Sequence, residues 1–230
     1  MRSILILNSK GGCGKTTLAT NLAGYFASKG RSVALADCDP QQSSLDWLAA
    51  RPADRPAIAG IAAWRDGLKP PRDTDWLIID SPAAIRGTEL AGLVKRADSI
   101  LIPLLPSPID VRAASHFLGE LNAARKVINQ GVRVATVANR VREHTVAAAG
   151  LEDYLSRFSL PNGKPFPFLA ALRATQNYVL AAERGLSIFE FAPVKTLPDR
   201  EQWLRILRWL SRSGTPRTAP KPAESSKTSQ

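Results

Sequence analysis

The segment Ser9-Lys10-Gly11-Gly12-Cys13-Gly14-Lys15-Thr16-Thr17 constrains this chain more than any other. It follows a short apolar run, Ser3–Asn8, and opens a helix-like stretch over 15–28 that Gly30 stops. Glycines between a buried strand and a helix let backbone N–H groups close around a phosphate chain, and the helix start turns its positive end toward it. Gly11, Gly12, Cys13 and Gly14 supply that cradle. Lys15 is placed to reach the β- and γ-phosphates and Thr16 to ligate Mg²⁺, with Thr17 beside it. The strict phosphate-loop pattern has glycine where this chain has Ser9, but strand, loop, Lys-Thr and helix are all in register.

A loop of this kind belongs in an α/β fold, and the rest of the chain agrees. Apolar runs at Ser32–Asp37, Trp76–Asp80, Ser99–Leu104 and Val132–Ala138 read as strands buried on both faces. Helix-like stretches fall at 43–50, 87–96 and 110–128, while 51–75, rich in Pro, Arg and Asp, reads mostly as loop. The alternation predicts a P-loop NTPase core: a mostly parallel central sheet with helices on both faces and ligands at the carboxyl ends of its strands. Beyond residue 140 the pattern predicts helices over 144–157, 174–184 and 199–212. We read 1–212 as one ATPase domain and 213–230, rich in Pro, Ser, Thr and Lys, as a disordered polar tail. No apolar run approaches the ~18 residues of a membrane span. Cys13 and Cys38, the only cysteines, lack metal-site spacing, and the chain reads as cytoplasmic.

Two further motifs sit at strand ends. Asp37-Cys38-Asp39-Pro40-Gln41-Gln42 places two carboxylates where they would face the loop, suited to Mg²⁺ and to positioning water. The alternative is that they cap the helix beginning near Ser43. Asp80, followed by Ser81-Pro82-Ala83, ends a buried strand, and a carboxylate is seldom buried there without a partner.

With its second lysine, Lys10, the loop resembles that of the ParA/MinD family of deviant Walker ATPases. The resemblance extends to Asp37–Gln42, to Ala97-Asp98 through Asp110, to Asn139-Arg140 and to Arg173–Glu190, roughly residues 1–212 in all. It implies a small ParA-type member without an N-terminal DNA-binding domain, binding ATP and Mg²⁺ and hydrolysing ATP weakly. It implies that Lys10 acts in trans across an ATP-sandwich homodimer, comparable to an arginine finger. Asp39 would orient the attacking water, Asp37 and Asp80 would support the metal, and Asn139 would contact adenine, the alternative being a plain turn-forming asparagine after the fifth strand. The implied partners are non-specific nucleoid DNA and a ParB-like or adaptor protein that stimulates hydrolysis; the cargo would be a plasmid, a chromosome or a protein body.

Charge supports the polyanion. The net charge is +11; residues 1–110 carry 13 Lys/Arg against 11 Asp/Glu, and residues 111–230 carry 18 against 9. On the amphipathic stretch 199–212, Trp203, Ile206, Leu207 and Leu210 form an apolar stripe, read as packing. Arg205, Arg208 and Arg212 lie together on another face and are the DNA-binding candidates, with Lys195 and Arg200 in support and Arg184 weaker. Two alternatives stay open: a MinD-like ATPase with that helix lying on anionic lipid, and an accessory ATPase of secretion, conjugation or cellulose synthesis.

Overall fold

The computed structural model describes residues 1–107, 110, 116–123, 131–142 and 167–212. Its strands are β1 (Arg2–Ile6), β2 (Val33–Asp37), β3 (Ala59–Ala62), β4 (Trp76–Asp80), β5 (Ser99–Leu104), β6 (Arg133–Val141) and β7 (Phe168–Arg173). Its helices are α1 (Lys15–Ser28), α2 (Ser43–Ala49), α3 (Ala63–Asp66), α4 (Gly87–Arg96), α5 (Gln176–Ala182) and α6 (Leu197–Ser211). The strands form one sheet in the order β3-β2-β4-β1-β5-β6-β7, and every pairing is parallel.

Strand β1 shows why the sequence folds this way. Alternate side chains leave a strand on opposite faces. Ile4 and Ile6 pack with Leu18, Leu22, Trp203 and Ile206 of α1 and α6. Leu5 and Leu7 enter a second core with Leu90 and Val94 of α4. A strand with no polar face needs cover on both sides, and the parallel crossovers provide it. The apolar stripe of α6 packs as expected, with Trp203 and Ile206 fully buried and Leu207 partly so.

Two strands are additions to the expected elements: β3 falls within 51–75, read mostly as loop, and β7 falls between the helices expected over 144–157 and 174–184. β3 is a four-residue edge strand of small residues, AGIA, with little strand propensity. It is held because α2 lies close on it: a side chain at Gly60 would collide with Leu45 and Leu48. β7, FLAALR, is composed of good helix formers, and pairing with β6 overrides that preference. The fifth sequence-predicted strand runs on to Val141, so Asn139 and Arg140 lie inside β6 and not in a turn after it. The helix expected over 174–184 is the shorter α5. Of the helix expected over 110–128, residues 110 and 116–123 are helical; the rest of it, the helix expected over 144–157 and the tail 213–230 lie outside the described residues.

Trp203 joins both halves of the fold. It packs in the α1–α6 core and donates its indole N–H to the Tyr178 hydroxyl at 2.9 Å. Trp203→Ala is expected to lower stability by about 3–5 kcal/mol, the usual result of removing a buried aromatic. Chemical denaturation measures this, and a change below about 1 kcal/mol would contradict the packing described here.

Candidate active site

The glycine-rich loop leaves the carboxyl end of β1, between β4 and β5. Gly14 is the N-cap of α1 at φ 97°, a left-handed conformation that favours glycine, and no side chain caps the helix start. The first N–H groups of α1 and the positive end of its dipole therefore open onto the loop. Side chains from neighbouring strands brace it. Asn8, just past β1, donates to the Pro103 carbonyl at 2.7 Å and accepts from the Lys10 N–H at 3.1 Å. Asn139 donates to the Cys13 carbonyl at 2.9 Å. Lys15 is buried, and its ammonium donates to the Lys10 carbonyl at 3.2 Å.

A cleft of about 270 Å³ lies above the loop, with Asp37, Asp39, Asp80 and Arg140 among the residues facing it. Register puts Asp37 and Asp80 side by side at the ends of paired strands. Their environments differ. Asp37 is fully buried and saturated: Oδ1 accepts from the Asp39 N–H at 2.9 Å, and Oδ2 accepts from the Ser44 N–H, the Ser44 hydroxyl and the Leu45 N–H. Of its two sequence readings, these bonds match the helix cap: Asp37 anchors the start of α2 and shapes the turn carrying Asp39. Asp39 is half-buried and accepts from the Gln41 N–H at 3.0 Å.

Asp80 is 2% exposed, and its Oδ1 has no hydrogen-bond partner among the described residues. Burial pushes its carboxyl up to about 7; a hydrogen bond from the Thr16 hydroxyl opposes the rise, and the charge of Asp37 adds to it. An orphaned buried carboxylate oxygen next to a threonine hydroxyl is the donor set a hard divalent cation takes, so the residues fit Mg²⁺.

Other candidates are dispersed. Lys10 is partly exposed, and its ammonium contacts the carboxylate of Asp110, which also accepts from the Ser107 hydroxyl at 2.6 Å. Arg205, Arg208, Arg212 and Lys195 are exposed. Arg200 is half-buried, with one guanidinium nitrogen donating to the Pro193 carbonyl, so it is less available to a ligand than expected. The α6 arginines are not part of the cleft. Arg133, at the start of β6, holds the Trp209 and Arg212 carbonyls, so α6 ends at the amino ends of the strands, opposite the cleft. Cys38, its thiol pushed up to about 12 mainly by burial, is chemically quiet.

Sequence reasoning missed Asn8, Ser44 and Asp110 as supports. A polar residue directly after a buried strand was the available signal for Asn8. Asn139 also braces the loop through one N–H of its amide, a bond that its sequence context does not announce.

The family model of the CobQ/CobB/MinD/ParA nucleotide binding domain matches residues 4–188. The carboxysome distribution maintenance protein A of Halothiobacillus neapolitanus is 27% identical over 194 residues, covering 82% of this chain and 87% of that protein. Its namesake from Gloeobacter kilaueensis is 29% identical over 219 residues, covering 92% and 94%. The cell division protein MinD of Aquifex aeolicus superposes with a TM-score of 0.69 at 20% identity, over 95% of this chain and 100% of that one.

Asp80 makes stability depend on pH when divalent cations are chelated. Its folded-state value lies above the 3.8 of a free side chain, so its contribution is full below about 3.8 and is lost as pH rises through about 7. The melting temperature in chelator is expected to fall across that window for the parent chain and to fall less for Asp80→Asn. Parallel curves would refute the assignment.

Proposed function

The chain belongs to the CobQ/CobB/MinD/ParA nucleotide-binding domain family, and from that premise we propose that it is a ParA-type ATPase that spaces or partitions a cargo on DNA. The observation that carries the reading is the cleft itself, where a lysine-bearing phosphate loop faces an orphaned buried aspartate. Residues 1–212 act as the ATPase domain, with 213–230 as a polar tail.

The loop N–H groups and Lys15 bind the β- and γ-phosphates. Thr16 and Asp80 would hold the Mg²⁺, with Asp37 supporting the shell through its turn. Bound there, the ion would supply positive charge against the negative charge of the transition state. Asp39 orients the attacking water, and Asp37 fixes the turn that aims Asp39. Lys10 leaves Asp110 and reaches the γ-phosphate in the partner protomer of an ATP-sandwich homodimer.

Arg205, Arg208 and Arg212, with Lys195 in support, contact phosphates of nucleoid DNA without reading sequence. The membrane-surface alternative is disfavoured by α6, whose Trp203, Ile206 and Leu210 are spent on the core and cannot enter lipid. No described helix is long and apolar enough to cross a membrane. The relatives' names favour a carboxysome-like body as cargo, and the partner would be an adaptor protein that stimulates hydrolysis.

Three variants separate the steps. Lys15→Ala is expected to lose ATP binding. Asp39→Ala should bind ATP and dimerise but hydrolyse at least tenfold more slowly. Lys10→Ala should bind ATP and stay monomeric. Calorimetry, light scattering and phosphate release read these outcomes, and full activity in Lys15→Ala would overturn the assignment.

The DNA surface has its own test. Loss of each phosphate contact should reduce the salt slope of DNA affinity by about 0.9. The Arg205→Ala/Arg208→Ala double variant with ATP is expected to show a slope shallower by about two. An unchanged slope would remove these arginines from the interface.

A further inference from the structure

We propose that Asn139 is a positioning residue for the phosphate cradle, a task separate from any contact that its second N–H and its carbonyl make with a base. The inference rests on the nucleotide-binding reading above and assigns this side chain a further task within it.

The argument starts in the sheet. β6 and β7 pair at Ala138 with Ala171 and next at Val141 with Arg173. Two residues of β6, Asn139 and Arg140, therefore stand opposite the single residue Leu172. That is a β-bulge, a device that bends a strand and re-aims a side chain, often beside an active site. Its mark is Arg140, whose φ is 55° in the left-handed region, although it is neither glycine nor asparagine. The bulge falls one residue beyond the last β5–β6 pair, Leu104 with Ala138.

The re-aimed side chain is Asn139. It is 4% exposed, and its amide nitrogen donates to the Cys13 carbonyl at 2.9 Å. It lies so close to Gly14 that a Cβ there would overlap the amide. Gly14 therefore answers two demands, a positive φ and room for Asn139.

Holding that carbonyl has a consequence for the next residue. In a trans peptide the C=O of one residue and the N–H of the next lie in one plane and point in opposite directions. No cis peptide is present among the described residues. With the Cys13 carbonyl drawn toward β6, the Gly14 N–H is directed the other way, on the side of the loop facing the cleft that Gly14 lines. Were this peptide to flip, a carbonyl would face the phosphates and an acceptor would replace a donor in the cradle. Asn8 restrains the start of the loop, at the Lys10 N–H, and Asn139 restrains its end.

The test uses Asn139→Ala and Asn139→Asp. The second is isosteric but puts an acceptor against the Cys13 carbonyl. Binding of ATP, GTP and inorganic triphosphate, each with Mg²⁺, is measured by calorimetry on full-length protein. Both variants are expected to lose about tenfold for inorganic triphosphate, the scale of one hydrogen bond to a charged group, and at least as much for ATP and GTP. A collapsed ATP-to-GTP ratio with unchanged triphosphate affinity would overturn the proposal and leave Asn139 to the base alone. Unchanged affinity for all three would overturn it outright. Failure of the parent chain to bind any of them would instead defeat the nucleotide reading. In the parent chain, the Gly14 amide proton is expected to shift downfield when triphosphate is added; absence of that shift refutes the proposal even if both variants fail to fold.

Discussion

β1 is hydrogen-bonded to β4 on one side and β5 on the other, and cores cover both of its faces. Its carboxyl end cannot shift without unpairing the centre of the sheet. The chemistry inherits that rigidity. The phosphate loop leaves β1, Asp80 ends the neighbour β4, and the Pro103 carbonyl that anchors Asn8 lies on β5. Three strands thus set loop, carboxylate and brace in one frame, and the preorganisation that phosphoryl transfer relies on is already present in the backbone.

Within that frame, two neighbouring aspartates have opposite fates. Asp37 has its acceptor capacity filled by the start of α2, which makes its burial tolerable. Asp80 is equally deep, but one oxygen is unsatisfied, and its carboxyl resists ionising near neutral pH. Of the two aspartates only Asp80 carries that penalty, which marks it as the place where a cation would offset it.

Much of this was legible in the sequence because it rests on local patterns. The loop, α1, β4, α4 and β5 follow from apolar runs and glycine spacing, and their predicted bounds match. The apolar stripe of α6 packs where its spacing put it. What escaped depends on partners remote in sequence. β3 and β7 have compositions that argue against strands, and neighbouring elements decide their state. The bonds that Asp37 accepts depend on Ser44 and Leu45 folding back onto it. The role of Asn139 turned on a bulge, and a bulge is a mismatch between two strands that neither strand announces alone. Arg51 and Glu190, a nearly buried ion pair at 2.6 Å, belong to the same class, tying the end of α2 to the segment before α6.

The contact between Lys10 and Asp110 bears on the proposed self-association. A lysine that would reach outward in such a dimer is here satisfied inward, by a carboxylate of its own chain. On the proposed reading, it is released only to an anion that outcompetes that carboxylate. A triphosphate presented by a second protomer carries more charge than one aspartate, and a diphosphate offers less at that position. The lysine therefore compares two anions, one built in and one brought in, and the strength of the built-in one sets the threshold at which two copies join.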